Sequence, residues 1–445
     1  MTYITEPSRE IPVIYDADIC VVGGSCTGVF AAVRAARLGA KVVLVEKQNR
    51  LGGVATAGLV NIWHSLYSTD YSEQIIAGLT DETVQRLKSA NAIDIQKSEA
   101  APYHFNPQIL TCELDELIKE NNIKLYLHTF YAGMIKEEGI SAILVENKDG
   151  RGAIRAKFFI DATGDGDLMR DVGAESYRFD FIQPPTSCFY LQGDTKDADM
   201  AKLITEHGHE FGLDDDWGWN DYVPGLHNIL MRADNHVFGV HCEKADDRTK
   251  AEMTGRRQAY ALTKLFQKYH NPECEIVSFC SEIGIRDTVH YKTNYTVTEK
   301  ELLTGEKFED TILKGSYRID VHHSQDNGIT FKYLDGRKET FYGKGSRAVK
   351  GNWREEEGIT GSPATYYSFP FRAMVHNYCH NLICAGRMLN ADQSSFGALR
   401  VMVNLNQMGE AAGVAAYMAI NEGKKLPEID GVRLRELLKK GGSAL

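Results

Sequence analysis

The sequence predicts an α/β protein: a Rossmann-like, mainly parallel sheet opened near the N-terminus, interrupted by a long α+β insert and completed near the C-terminus. Three observations predict it. Residues 17–28 read as a buried strand, a glycine-rich turn and the start of a small-residue helix, and Lys41-Val-Val-Leu-Val-Glu46 follows as a second strand. Lys157-Phe-Phe-Ile-Asp-Ala-Thr-Gly-Asp-Gly-Asp167 is another strand running into a small-residue turn. The same style returns, after a long stretch of different composition, in Asn381-Leu-Ile-Cys-Ala-Gly-Arg387.

The opening unit carries the most chemistry. Ile19, Val21 and Val22 form a short apolar run suited to a strand buried on both faces. Gly23, Gly24 and Gly28 permit a sharp turn, close approach of a pyrophosphate and tight packing of helix on strand. Ser25 stands where the middle glycine of G-x-G-x-x-G is usual; it is small and can donate to a phosphate oxygen. The helix, residues 27–38, stops at Gly39, and its N-terminal amides face the turn, where anions are favoured. Glu46, at the tip of the second strand, is placed to accept hydrogen bonds from ribose hydroxyls, with Lys47 beside it. The unit therefore predicts dinucleotide binding over a nucleotide-free crossover, without separating NAD from FAD.

A second glycine loop, Arg50-Leu-Gly-Gly-Val-Ala-Thr-Ala-Gly58, comes next. Residues 113–121 have Leu114, Leu117 and Ile118 on one helical face, and Lys124-Leu-Tyr-Leu-His-Thr129 reads as a strand. Residues 141–146 and 152–157 flank Asp149-Gly150 as a hairpin. From Gly173 glycine loops thin out, aromatic and charged residues rise, and strand-like runs appear, residues 236–241 among them. The expected division is a first part of the dinucleotide domain over 14–172, an inserted substrate domain over 173–377, the second part over 378–424 and a basic, peripheral tail over 425–445. The last long helix runs to about Asn421, and Ala411, Ala412, Gly413, Ala415 and Ala416 give it a face able to pack closely on a cofactor or a strand.

Composition removes other classes. The 445 residues exceed one compact core, and 43% hydrophobic with 25% charged residues is ordinary for a globular protein. A net charge of −11 argues against nucleic acid or an anionic membrane as main partner. No apolar run reaches membrane-spanning length and residues 1–9 hold no signal-peptide core, so a cytoplasmic location is expected. The nine cysteines are scattered without C-x-x-C, so no zinc site, iron–sulfur cluster or redox-active pair of usual spacing is encoded, and no metal is expected.

Taken in order, these motifs resemble the FAD-dependent oxidoreductases of the glutathione-reductase-like flavoprotein superfamily, and among them the bacterial family of xanthan-lyase-associated flavoproteins and relatives of the heterodisulfide reductase A subunit. The motifs are the opening unit with Glu46, Leu51-Gly-Gly53, Phe159-Ile-Asp-Ala-Thr-Gly-Asp-Gly166, Ile283-Gly-Ile-Arg286, Asp320-Val-His-His323, Phe369-Pro-Phe-Arg372, Ala385-Gly-Arg387 and Leu399-Arg-Val-Met402. They span nearly the whole chain. The resemblance implies FAD as cofactor, with its ADP half at Gly23, Gly24, Ser25, Gly28 and Glu46. Asp161, Gly164 and Asp165 would approach the adenine side, and Gly52, Gly53, Gly386 and Arg387 the flavin and its chain. A helix starting near Arg400 and Met402, with Gly397 just before it, would aim its N-terminus at the negative edge of reduced flavin. Relatives with iron–sulfur clusters need cysteine groups that this chain lacks. No second complete βαβ unit appears, so electrons would come from the substrate or from a transient electron-carrier partner.

The insert offers Arg286, Asp320, His322, His323, Tyr367 and Arg372 for catalysis. Arg286, His322 and Arg372 are the chosen candidates: histidine titrates near neutral pH, and arginine grips carboxylates or carbonyls in two-pronged fashion. Each has a structural alternative, such as an ion pair between Arg286 and Asp287. Trp63-His64 could reach the flavin or simply pack, and Trp217-Gly-Trp219 could stack on a sugar ring or cap a loop. The function expected is hydride exchange between non-covalent FAD and a small organic substrate held between two domains, with a carbohydrate-derived alcohol as a candidate by analogy. The alternatives are a fumarate-reductase-like alkene reductase and an electron-relay or structural subunit with no substrate pocket.

Overall fold

A computed structural model describes residues 2–96, 98–99, 102–214, 218–323, 328–342 and 347–445. Its centre is a seven-stranded sheet. The first strand, Val13–Val22, has Val42–Val45 on one side and beyond it Lys124–Tyr126, all parallel. On the other side Gly150–Asp161 runs parallel to the first strand. This long strand divides its outer edge. Its first half pairs antiparallel with Ile140–Asn147, which in turn pairs with Phe130–Lys136, while Phe159, Ile160 and Asp161 pair parallel with Leu382, Ile383 and Cys384. The hairpin is turned at its tip by Asn147, whose side-chain oxygen accepts from the amide of Asp149 at 2.9 Å. The chain thus leaves the sheet after Asp161 and returns more than two hundred residues later to complete it.

The helix Cys26–Arg37 lies against the long helix Met402–Glu422. A Cβ on Gly409 would fall 2.1 Å from the carbonyl oxygen of Thr27, and one on Gly413 would fall 2.3 Å from that of Ala31. Two glycines one turn apart let the backbones touch. The expected close packing is thus made at Gly409 and Gly413 on the first helix, while the same long helix also lies against the strands Gly150–Asp161, Val13–Val22 and Leu382–Cys384, and only its N-terminal turns reach the cavity described below.

Residues 187–280 hold a core of their own. Asn220–Tyr222, Ile229–Arg232, Phe189–Gln192 and Glu275–Phe279 form an antiparallel sheet in that order, and helix Ala245–Tyr269 covers it through Leu262, Leu265 and Phe266. The later insert behaves differently. Leu302, Leu313, Trp353 and Tyr367 belong to the same apolar cluster as the first helix and Met402–Glu422, so the packing does not change at residue 377. Residues 236–241 are not a strand. Val237 makes one backbone bond, to Pro185, and Gly239 turns to φ +67°, which ends the extended run.

The tail also departs from expectation. Gly431–Lys440 is a helix with Leu434 and Leu438 buried, and Arg34 of the first helix donates to the Gly441 carbonyl at 2.6 Å. Arg34 also pairs with buried Glu410, which accepts from the Leu79 amide at 3.1 Å. No helix among the described residues is long and apolar enough to cross a membrane.

Candidate functional site

A cavity of about 800 Å³ opens at the carboxyl ends of the parallel strands, where open α/β sheets bind ligands. Ligand cavities commonly span about 300–1,000 Å³, so this one can hold a large molecule. It runs from the first glycine turn, at Gly23, Ser25 and Glu46, past Gly52, Gly53, Gly386 and Arg387, to His236, Arg286, Asp320, His322 and Arg400.

The first end is built by the backbone. Gly23 sits at φ +106°, and its Cβ would fall 2.2 Å from the Ala162 carbonyl, so the turn needs glycine both for conformation and for space. Gly28 presses the helix onto the Gly23 carbonyl, where a Cβ would fall 1.9 Å away. Glu46 lines the cavity while bracing the turn: it accepts from the Gly24 amide at 2.5 Å and the Gln48 amide at 2.7 Å. Burial pushes its carboxyl above the ordinary range, against the pull of those amides and of Lys47. Gly24 and Gly28 shape the turn and do not line the cavity.

Of the acids in the segment 157–167, Asp167 lines the cavity and Asp161 and Asp165 do not. Asp161 accepts from the amides of Thr163, Leu168 and Met169 and from the Thr163 hydroxyl, which ties the turn to the short helix Asp167–Asp171. It is buried and does not line this cavity, unlike Gly164 in the same turn. Asp165 also lies behind the cavity wall, paired with Arg387 at 2.5 Å and Arg248 at 2.6 Å. Ser25 and Gly52 form an isolated parallel bridge that joins the two glycine loops at the cavity wall.

The far end gathers charge. Arg400 lies 3.4 Å from Asp320, and the Tyr317 hydroxyl donates to the same carboxylate at 2.9 Å. Burial alone would raise the Asp320 pKa, but Arg400, His322 and Arg318 outweigh it and hold it at about 2. Its second oxygen is buried without a partner. The His322 ring lies 4.9 Å from that of His236, and both line the cavity. Burial, helped by His236, Arg286 and Arg400, drives the His322 pKa well below its usual value despite Asp320, so the ring is neutral at neutral pH. Arg286 is positioned by the Pro184 carbonyl at 2.8 Å and the Thr186 hydroxyl. The His64 ring packs at a tilt against Tyr317, with 4.0 Å between ring centres.

Other expected residues stand elsewhere. Arg372 does not line the cavity: it pairs with Asp310 and packs its guanidinium over Tyr295 and Phe308, 4.5 and 5.0 Å from the ring centres. Gly397 is behind the site, where a Cβ would fall 2.6 Å from the Asp320 carbonyl, so it lets helix Gln393–Leu399 press on the strand Ile319–His322. Tyr367 is buried against Asn404 and Ala398, and His323 turns to Thr330. Trp63 is buried against Phe105. Trp219 lines the outer cavity, and Trp217 lies outside the described residues.

Sequence reasoning missed His236, Arg248, Glu282, Arg318 and Asn406, all of which line the cavity. Arg248 stands alone in a charged helix, whereas Glu282 abuts the segment 283–286, Arg318 lies two residues before Asp320 and Asn406 lies one helical turn after Met402, so proximity to those motifs was the available signal. Asn406 tests whether FAD fits: its amide is fully buried at the cavity wall, and neither its nitrogen nor its oxygen has a partner. A buried amide with a free donor and a free acceptor is costly alone and suits the alternating donor and acceptor edge of a flavin ring. The residues present fit the group. Among the described residues no cluster of His, Cys, Asp or Glu could hold a metal ion.

A family profile described as FAD dependent oxidoreductase matches residues 18–438. The chain is also similar to dihydrolipoyl dehydrogenase of Schizosaccharomyces pombe, 29% identical over 160 residues that cover 33% of this chain and 28% of the relative. With dihydrolipoyl dehydrogenase of Trypanosoma brucei brucei it is 28% identical over 172 residues, covering 35% and 32%. The chain therefore spans less than a third of the length of these curated relatives. A solved structure of a geranylgeranyl bacteriochlorophyll reductase-like protein from Thermoplasma acidophilum aligns with TM-score 0.50 at 12% identity, covering 96% of this chain and 84% of that one. That likeness shows a shared fold.

Proposed function

The chain belongs to the FAD-dependent oxidoreductase family, with FAD as its cofactor, and on that premise we propose that it exchanges a hydride with a small organic substrate held at the His236–His322 end of the cavity. One observation carries the reading: the glycine turns and the far cluster of histidine, arginine and aspartate share a single cavity. Gly23, Ser25 and Glu46 would hold one end of the cofactor, Gly52, Gly53, Gly386 and Arg387 its middle, and Met402 and Asn406 its ring end. FAD supplies a two-electron centre able to take or give hydride. The chain supplies the rest. The guanidinium groups of Arg286 and Arg400 would orient an oxygen-rich or anionic group. The neutral His322 would accept the proton that a substrate hydroxyl loses as hydride leaves its carbon.

The segment 173–377 supplies His236, Arg286, Asp320 and His322, which supports its reading as the substrate side. Trp219 on the outer wall supports a sugar-like alcohol. The arginine and histidine pairs at the far end favour a second reading, the reduction of an activated alkene that carries carboxylates. The polar lining weighs against a relay subunit without a pocket. No dithiol relay is proposed, because the loop from Gly52 to Gly58 contains no cysteine and burial pushes the Cys26 thiol up to about 12.

Anaerobic mixing of the FAD-loaded protein with sugars, alcohols, amines and hydroxy acids tests the proposal. Bleaching of the 450 nm flavin band by one class, on the order of one flavin per substrate oxidised, is expected. Reoxidation of dithionite-reduced protein by fumarate, with no bleaching by any alcohol, would instead support the alkene reductase. Inertness in both directions would contradict a substrate site in this cavity.

A further inference from the structure

Five charged side chains from separate parts of the chain meet beside the first glycine turn. Lys47 follows the strand Val42–Val45, Arg387 follows Leu382–Cys384, and Arg248 sits in the first turn of the insert helix Ala245–Tyr269. Asp165 and Glu282 lie between them. Asp165 takes Arg387 at 2.5 Å and Arg248 at 2.6 Å, while Glu282 takes Lys47 at 3.0 Å and Arg248 at 3.5 Å. The Arg248 Nε donates to the Cys242 carbonyl at 2.7 Å, which fixes the plane of its guanidinium. Arg248 is the only one of the three cations that contacts both acids among these pairs, and the only one carried by the insert.

The balance of charge is uneven. Within these ion pairs three cations face two carboxylates; Glu46, turned to the amides of Gly24 and Gln48, and Asp167, paired with Arg170, also line the cavity but pair outside the cluster. Burial opposes ionisation of Asp165, but the neighbouring cations outweigh it and hold its pKa at about 2. Lys47, Arg248 and Arg387 all line the cavity, whereas Asp165 stands behind it. The Arg387 Nε is buried without a partner. A partly buried cluster with excess positive charge and an unfilled donor is completed by an anion. Its place says which one. A Cβ on Gly164 would fall 2.2 Å from Arg387 Nη1, and Gly164 lines the same stretch of cavity as Gly23 and Ser25, where the first helix presents its N-terminus. Ser25 occupies the position where the motif's middle glycine would let the backbone come closer, so side-chain cations have more of the phosphate charge to meet.

We propose that Arg248, reaching across from the insert, is a ligand of the cofactor's diphosphate, so that the insert closes the dinucleotide site as well as the substrate end. The inference rests on the cofactor assignment above. Its test is equilibrium binding to the full-length apoprotein of FAD, ADP and adenosine, the last two differing in the diphosphate. Arg248→Gln and Arg248→Ala are each expected to weaken FAD and ADP by about tenfold or more, as loss of a charge-assisted hydrogen bond does, and to leave adenosine unchanged. Arg256→Gln, in the same helix but paired with Glu252 at the surface, is expected to bind all three as wild type does. Should Arg248→Ala fail to fold, Arg248→Gln, which keeps amide donors on a long side chain, gives the answer alone. A folded Arg248 variant with wild-type affinity for FAD overturns the inference, and so does equal weakening of ADP and adenosine, which marks a packing role. Wild-type protein that binds ADP but no FAD overturns the cofactor assignment and this inference together.

Discussion

His322 is held neutral by what surrounds it: burial first, then the His236 ring and the charges of Arg286 and Arg400, with Asp320 alone pulling the other way. A proton acceptor of this kind loses no function when the pH falls from 8 to 6, because its protonation lies lower. The pH profile of kcat/KM is therefore expected to show no acid limb near 6.5 from this ring. Arg286→Ala removes one opposing cation, so the limb should move to higher pH while kcat/KM falls by roughly tenfold or more. An unchanged limb in the variant would break the link between Arg286 and His322. Asp320 gives a stability test of opposite sign. Its pKa is depressed from 3.8 to about 2, so its ionised form contributes stability that is present above 3.8 and is lost as pH falls towards 2. Asp320→Asn should cost about 2 kcal/mol in urea unfolding at neutral pH, and the gap should close on acidification. At this scale the sequence was legible where backbone geometry dictates residue type. Gly23, with its positive φ, and Glu46, at a strand tip, could be named because turn and strand leave few alternatives. Arg372 and Asp161 could not be placed, since a charged residue reads the same in a sequence whether it meets a ligand, Asp310 or a turn amide.

Among the elements, the pairing of Cys26–Arg37 with Met402–Glu422 decides how the cavity is framed. Gly409 and Gly413 leave no room for a side chain against Thr27 and Ala31, so Gly413→Val should force the helices apart. Overpacking of this kind costs about 1–3 kcal/mol, and more where backbone is the obstacle; thermal unfolding should show a clearly lowered midpoint. A midpoint within a degree or so of wild type would mean that the helices do not touch there. The tail is the second element to test. Deleting residues 431–445 uncovers the partners of Leu434 and Leu438 and takes the Gly441 carbonyl from Arg34, so it should lower the unfolding midpoint and expose apolar surface to a fluorescent dye. The small-residue face was readable from its helical spacing. Its partner was not, because periodicity says which face is buried and nothing about what covers it. The tail departs from its expectation for a related reason: its four basic residues read as a solvent-facing surface, yet they interleave with four apolar ones, of which Leu434 and Leu438, four apart, dock one helical face.

For the whole molecule, one sheet is built from both ends of the chain, and the returning strand Leu382–Cys384 brings Gly386 and Arg387 to the mouth that Gly23 opens. The split was visible from the repeated glycine style of the two segments. The order of strands was not, since it depends on Gly150–Asp161 sharing its edge between a hairpin and a distant strand. Nor was the continuity of the core, because Leu313, Trp353 and Tyr367 join the first helix across more than two hundred residues of chain. A cavity of this size lined from both halves predicts strong coupling of cofactor to stability. FAD at a hundredfold excess over its Kd should add about 2.7 kcal/mol and raise the unfolding midpoint, whereas riboflavin, which lacks the ADP half, should do far less. The most direct measurement is the crystal structure of the FAD-loaded protein. FAD is predicted to fill this one cavity, with Glu46 at its ribose end, Asn406 and Met402 at its ring end, and His322 and Arg286 open to the same space. FAD bound elsewhere, or His322 and Arg286 walled off from it, would contradict the account.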